Sequence, residues 1–250
     1  MKKKIAICAA NYVGKDLVKY LKDTEYPIDL AITSKNDKYE SEITQDLKDM
    51  GIHCLRRTSA NSREFIEELK RKKIEQVFLL WWPEIIKEET LSCVNQGIIN
   101  LHPSFLPISR GKHPYYWSIV EENDFGVSIH YITSGIDDGK IIAQKKIEFD
   151  ITATGESLYQ KSLEEMIELF KEWYPKIRED NIAGTPQNSE KSTFHYGKEI
   201  EIHSRIDLEK KYKALDLINI MRGRTFSKKE SSFFFLNGKK YYINIDIYEE

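Results

Sequence analysis

The chain has 250 residues, 40% of them hydrophobic and 31% charged, with a formal net charge of −2. That length supports one large or two modest domains, and the near-neutral balance excludes wholesale binding of nucleic acid or an anionic membrane, so an anionic substrate must be held by local groups. Cys8, Cys54 and Cys93 are odd in number and lack Cys-x-x-Cys spacing, so they read as buried free thiols.

Met1-Lys2-Lys3-Lys4 has the charge of a signal-peptide start, but only about six apolar residues come between it and Asn11. No apolar run is long enough to span a bilayer, and a cytoplasmic location without membrane contact is expected. Residues 5–10 read as a buried strand, and Gly14 as the opening of a helix with Leu17, Val18 and Leu21 on one stripe. The turn between them lacks Gly-x-Gly-x-x-Gly, which argues against a dinucleotide cofactor. Asn11 and Tyr12 sit at the strand end, where they either contact a substrate or simply form a helix-initiating turn.

Residues 28–33 predict a second strand, Ile43, Leu47 and Met50 a helix that Gly51 ends, and residues 52–54 a brief third strand. Asn61 and Glu64 have capping-box spacing ahead of the stripe Phe65, Ile66, Leu69. Residues 76–80 read as a strand that Trp81-Trp82-Pro83 ends. Strands separated by helix-length segments predict an α/β fold, a Rossmann-like, doubly wound and mostly parallel sheet.

Ile98-Ile99-Asn100-Leu101 is a short buried strand after Gly97, apolar except for one amide. Side chains alternate along a strand, so Asn100 and His102 face the same way at its carboxyl end, where open α/β sheets place ligands. Pro103 and Pro107 stiffen the loop beyond it. Pro114 suits the first turn of a helix bearing Tyr116, Trp117 and Ile119. Residues 126–132 and 140–149 read as strands joined by a turn at 135–139, from which Asp137 can reach back to His102. A long helix then starts near residue 154, broken at Pro175 or continuing briefly past it.

Polar residues 181–198 predict a boundary between a catalytic domain, 1–184, and a small carboxyl-terminal region, 185–250. The latter reads as a helix capped by Asp207 and a β-hairpin around Asn237-Gly238. His53, His130, His195 and His203 have no metal-ligand spacing with one another or with the cysteines, and no metal is expected.

The run Asn100-Leu101-His102-Pro103-Ser104-Phe105-Leu106-Pro107-Ile108-Ser109-Arg110-Gly111, with Gly135-Ile136-Asp137-Asp138-Gly139 downstream, resembles the signature of the 10-formyltetrahydrofolate-dependent formyltransferases. That group includes glycinamide ribonucleotide, methionyl-tRNA and nucleotide-sugar formyltransferases, and the resemblance covers residues 5–149. It implies Asn100, His102 and Asp137 as catalytic residues, Asp137 being preferred over Asp138 because the latter fills the middle of Asp-x-Gly. It implies 10-formyltetrahydrofolate as co-substrate, with folate contacts from Trp82, Ile85, Leu106 and Asp138. A core role for Trp82 is the competing reading.

Formyl transfer to an amine passes through a tetrahedral intermediate with a negative oxygen. The Asn100 amide and a protonated His102 are suitable donors to it, and the Asp137 carboxylate can take the proton the amine loses. The acceptor depends on the segment beyond the catalytic domain. The chain is too short and too neutral for a tRNA-binding domain, and it carries a helix and hairpin that the glycinamide ribonucleotide enzymes lack. Arg222-Gly223-Arg224-Thr225-Phe226 resembles an element of nucleotide-sugar N-formyltransferases, although Ser227-Lys228-Lys229-Glu230 replaces the usual proline-rich continuation. The expected acceptor is a nucleotide-linked aminodeoxysugar, dTDP-4-amino-4,6-dideoxyglucose or a 3-amino analogue, for surface polysaccharide such as O-antigen. Glycinamide ribonucleotide and methionyl-tRNA are the alternatives, and a non-catalytic folate or nucleotide sensor is the alternative of another class. Asn11, Tyr12, Lys112, His113, Arg222 and Arg224 are candidate acceptor contacts, with Phe226 available to stack on the base. Phe233, Phe234 and Phe235 cannot all point inward from one strand, which predicts a homodimer contact.

Overall fold

The structure, a computed structural model, describes residues 3–226 and 231–250. Met1-Lys2 and Ser227-Lys228-Lys229-Glu230 lie outside the described residues. The elements run β1 Ile5–Ala9, α1 Asn11–Lys22, β2 Leu30–Thr33, α2 Glu40–Asp49, β3 Cys54–Leu55, α3 Arg63–Lys72, β4 Gln76–Leu80, α4 Glu88–Leu91 and β5 Ile98–His102. They continue β6 Arg110–Gly111, α5 Pro114–Val120, β7 Phe125–Tyr131, β8 Ile141–Ile147, α6 Gly155–Glu179, β9 Phe194–His195, α7 Glu199–His203, α8 Ala214–Gly223, β10 Ser232–Leu236 and β11 Lys239–Ile243.

Seven strands form one sheet in the order β3-β2-β1-β4-β5-β7-β8. The first five are parallel, and β7 joins antiparallel to β5, so the doubly wound, mostly parallel reading holds. Parallel strands buried on both faces need near-continuous apolar runs, which β1, β2 and β4 supply. The order reverses between β1 and β4, the switch point where such sheets open a crevice at their carboxyl edge. Gly14 lets α1 lie against that edge, because a Cβ there would stand 3.0 Å from the Leu80 carbonyl oxygen.

The chain divides into two compact units. The first is Met1–His102, Ser128–Gln144 and Met166–Gln187. One face of its sheet packs Ala6, Cys8, Leu30, Val77 and Leu79 against Phe65 and Leu69 of α3, and Trp82 belongs to this core. Phe78 instead meets Phe170 and Tyr174, with ring centroids 5.9 and 5.3 Å away.

The second unit is Pro103–Val127, Lys145–Glu165 and Asn188–Glu250. Tyr116 and Trp117 of α5 pack on Ile200 of α7, and β6 pairs with β9 in parallel. Its hairpin, β10 with β11, turns through Asn237 (φ 50°) and Gly238 (φ 75°), the two left-handed residues a type I′ turn needs. Phe233 is buried, whereas Phe235, Leu236, Tyr241 and Tyr242 are each more than 40% exposed. Among the described residues no helix is long and apolar enough to cross a membrane.

Several boundaries differ from the sequence reading for identifiable reasons. Helix α1 begins at Asn11 rather than Gly14, because the Asn11 N–H finds the Asp37 carboxylate at 2.6 Å. Ser62, not Asn61, caps α3 by accepting from the Phe65 N–H. Asn61 is drawn away by tertiary partners, donating to the Ile85 carbonyl and accepting from the Lys87 N–H. Pro175 is inside α6, which continues to Glu179. The carboxyl-terminal helix starts at Ala214, seven residues after Asp207, whose own N–H donates to the Tyr212 hydroxyl instead.

Candidate active site

Strand β5 delivers Asn100 and His102 to one face of the sheet's carboxyl edge, as period-two alternation requires. The antiparallel register places His130 of β7 directly opposite Asn100 and Ser128 opposite His102. His130 Nδ1 lies 2.8 Å from the Tyr131 carbonyl oxygen, which can only accept, so Nδ1 carries the hydrogen. Burial, then the neighbouring His102, pushes the His130 pKa down to about 4, so the ring is neutral near pH 7. Its Nε2 therefore offers a lone pair to the Asn100 side-chain N–H at 3.3 Å. One hydrogen of that amide is oriented by His130, and the other remains a donor.

Asp137 completes the cluster from the turn after β7. Its carboxylate lies between the two rings, 3.6 Å from His102 Nδ1 and 3.7 Å from His130 Nε2. Asp137 is left-handed, with φ 50°. The turn is held by Gln187, whose amide donates to the carbonyls of Asp137 and Gly139 at 2.8 and 2.7 Å. At Gly139 a Cβ would collide with the Tyr131 carbonyl, so the Asp-x-Gly glycine is required sterically. Asp138 is exposed and accepts from the Thr133 hydroxyl, although its charge still acts on His130.

The sequence reading missed His130 and Gln187. His130 has no sequence spacing that marks it, yet His102, His130 and Asp137 bring ligand atoms within 4.8 Å of one another, close enough to hold a metal ion. An ion there would occupy the lone pairs that proton transfer uses, so metal binding and acid–base work at these atoms exclude each other. The signal that could find His130 is β-pairing: a polar residue opposite Asn100 in an antiparallel register must share its environment.

The remaining candidates are spread over both units. In the first, Trp82 is 9% exposed, its indole N–H donating to Glu84 at 3.2 Å, while Ile85 is 74% exposed. Asn11 and Tyr12 are exposed in the first turn of α1. In the second unit, Leu106 is buried and Lys112 exposed. His113 bonds the Tyr115 hydroxyl at 2.8 Å, and burial with the charges of Arg224 and Lys112 lowers its pKa to about 4. Arg222 is buried in α8, donating to Asn219 Oδ1 and to the carbonyls of Asp150 and Ala153, so these bonds tie loop to helix. Arg224 is also buried, 3.4 Å from Glu201, and its Nε has no hydrogen-bond partner among the described residues. The Phe226 ring lies 5.0 Å from that of Tyr115.

Residues 5–173 match a family described as formyl transferase, and residues 199–249 match the N-formyltransferase dimerization C-terminal domain. Among solved structures, a 4-N formyltransferase from Francisella tularensis superposes with a TM-score of 0.81 at 20% identity, covering 99% of both chains. An N-formyltransferase from Helicobacter canadensis, in complex with folinic acid and dTDP-3-aminofucose, gives 0.75 at 23% identity over 95% of this chain and 86% of its own. A formyltransferase from Anoxybacillus kamchatkensis, in complex with UDP-4,6-dideoxy-4-formamido-L-AltNAc and tetrahydrofolate, gives 0.59 at 24% identity over 88% and 98%.

Proposed function

The chain belongs to the formyl transferase family, and we propose that it is a sugar N-formyltransferase that moves the formyl group of 10-formyltetrahydrofolate to the amine of a nucleotide-linked aminodeoxysugar. The observation that carries the reading is the grouping of Asn100, His102 and Asp137 in a chain whose tail matches the N-formyltransferase dimerization domain. That tail is also the ground for proposing a homodimer. Two hydrogen-bond donors beside a carboxylate suit formyl transfer, which needs an oxyanion stabilised and an amine proton removed.

Asn100, its amide turned by neutral His130, donates its remaining N–H to the developing oxyanion. His102 supplies the second donor. Asp137 receives the proton that the attacking nitrogen sheds as the new C–N bond forms, directly or through a water. When the bond from carbon to the folate N10 breaks, His102 is placed to return a proton to the leaving amine. Bound 10-formyltetrahydrofolate supplies the activated formyl carbon.

The favoured acceptor is dTDP-4-amino-4,6-dideoxyglucose, a precursor for surface polysaccharide such as O-antigen. Both co-substrates are anionic and do not cross a bilayer unaided, which suits a cytoplasmic enzyme. The test is a panel of dTDP- and UDP-linked 3-amino and 4-amino sugars, glycinamide ribonucleotide and methionyl-tRNA, each incubated with 10-formyltetrahydrofolate while tetrahydrofolate release is followed. Preference for an amino sugar is expected. Preference for either of the last two overturns the acceptor, and no turnover with any of them favours a sensor.

A further inference from the structure

Outside the catalytic cluster, the first unit carries an open pocket of about 360 Å³ lined by Lys35, Asn36, Asp37 and Arg57. It is built by the turns that leave β2 and β3 at their carboxyl ends. Because β1 to β5 are parallel, this is the edge at which β5 presents Asn100 and His102. Asn36 and Arg57 are both left-handed, at φ 58° and 52°, a conformation that a residue with a Cβ adopts only when its surroundings hold it there. Thr33 does the holding beside Arg57: its hydroxyl accepts from the Arg57 N–H at 3.0 Å, and its carbonyl from the Thr58 N–H at 2.9 Å.

The charges here do not cancel. Buried Glu40 gives both carboxylate oxygens to Arg56, at 2.8 and 3.0 Å, so Arg57, 3.4 Å from Glu40 and with a side chain 66% exposed, shares a carboxylate already engaged. Asp37 is occupied by backbone donors, the N–H groups of Asn11 and Tyr39 at 2.6 and 3.0 Å. Lys35 is exposed and makes no ion pair among the described residues. Lys35, Arg56 and Arg57 thus outnumber the Glu40 and Asp37 carboxylates, and a protein of net charge −2 keeps a surplus of positive charge in this pocket at its catalytic edge.

From β2 to β5 there are three strand steps, through β1 and β4, or roughly 14 Å at about 4.8 Å each. A sugar ring joined to a diphosphate covers a distance of that order once the Lys35 side chain extends toward it. We propose that this pocket receives the diphosphate of the acceptor, with Lys35 and Arg57 as countercharges and Asp37 holding the loop against the first turn of α1. Tyr39, whose N–H donates to Asp37, and Tyr12, next to Asn11, whose N–H donates to the same carboxylate, have rings 6.3 Å apart with Lys15 over both, and would offer surfaces for the base. This rests on the sugar-nucleotide reading.

The test measures equilibrium binding of dTDP, UDP and inorganic pyrophosphate to the full chain by titration calorimetry, in wild type, Lys35→Ala, Lys35→Arg and Arg57→Ala. Removing one charge-assisted contact should weaken dTDP or UDP about 10- to 100-fold. Lys35→Arg should restore most of the loss, affinity for 5-formyltetrahydrofolate should stay unchanged in all variants, and the Tm should stay unchanged in the two Lys35 variants. Wild-type affinity in both alanine variants overturns the proposal. So does a loss confined to folate binding, which would make the folate glutamate carboxylates the occupant, and so does a wild type that binds none of the three probes. Because these are binding measurements, they stand apart from the turnover panel: transfer to another amine sinks the acceptor reading whatever the pocket does.

Discussion

His130 is a positioning residue whose contribution can be worked out before it is measured. It is fully buried, donates from Nδ1 to Tyr131 and accepts from Asn100 at Nε2. Phenylalanine fills similar space and removes both bonds. A net hydrogen bond contributes about 1 kcal/mol, so loss of the Asn100 orientation alone should lower kcat roughly fivefold. If the donor is misplaced altogether, the loss should approach the ~100-fold typical of removing an oxyanion-hole donor. His130→Phe is therefore expected to lose about 5- to 100-fold in kcat with little change in folate KM, and His130→Gln, which keeps an acceptor, should recover part of it. With its pKa pushed down to about 4, His130 stays neutral to about pH 5, so its ring nitrogen shifts in NMR should not move between pH 8 and 5. A folded His130→Phe enzyme with kcat within about twofold of wild type would refute the orientation argument.

Glu40, with its pKa held down at about 2 chiefly by Arg56, stabilises the fold fully above its unfolded pKa near 4.5, and that stability is lost as pH falls toward 2. Urea unfolding should show Glu40→Gln less stable by about 2–3 kcal/mol at pH 7 and the gap shrinking by pH 3; an unchanged gap contradicts the assignment. Replacing Phe235 and Tyr242 with serine should convert a dimer to monomer in sedimentation at micromolar concentration, and a wild-type protein that is itself monomeric contradicts the exposed hairpin as the contact. Excess Zn²⁺ should inhibit turnover reversibly, relieved by a chelator, because His102, His130 and Asp137 present their ligand atoms together; insensitivity to zinc contradicts that geometry.

The features legible in the sequence are those set by local rules. The apolar runs of β1, β4 and β5, the Asn-Gly hairpin turn and the shared face of Asn100 and His102 depend only on strand periodicity and turn chemistry, and all are present. Two of the misread helix starts are places where a tertiary partner overrode the local reading, Asp37 for Asn11 and the Ile85–Lys87 backbone for Asn61, whereas at Asp207 the competing partner is the nearby Tyr212 hydroxyl. His130 and Gln187 were invisible because their roles come from an antiparallel register and a contact 50 residues away in sequence. Arg222 shows the converse: an arginine in a suggestive motif is bonded by its Nε and Nη1 to Asn219 and to two carbonyls of the loop before α6.

The central claim, that Asn100, His102 and Asp137 perform the transfer, is tested most directly by turnover of Asn100→Ala, His102→Ala, Asp137→Asn and Asp138→Asn with 10-formyltetrahydrofolate and the acceptor the panel selects. The account predicts a loss of at least ~100-fold for Asn100→Ala and His102→Ala with the fold intact, and a larger loss for Asp137→Asn than for Asp138→Asn. Near-wild-type turnover in either alanine variant, or a larger loss at Asp138, whose carboxylate is engaged by the Thr133 hydroxyl, would contradict it.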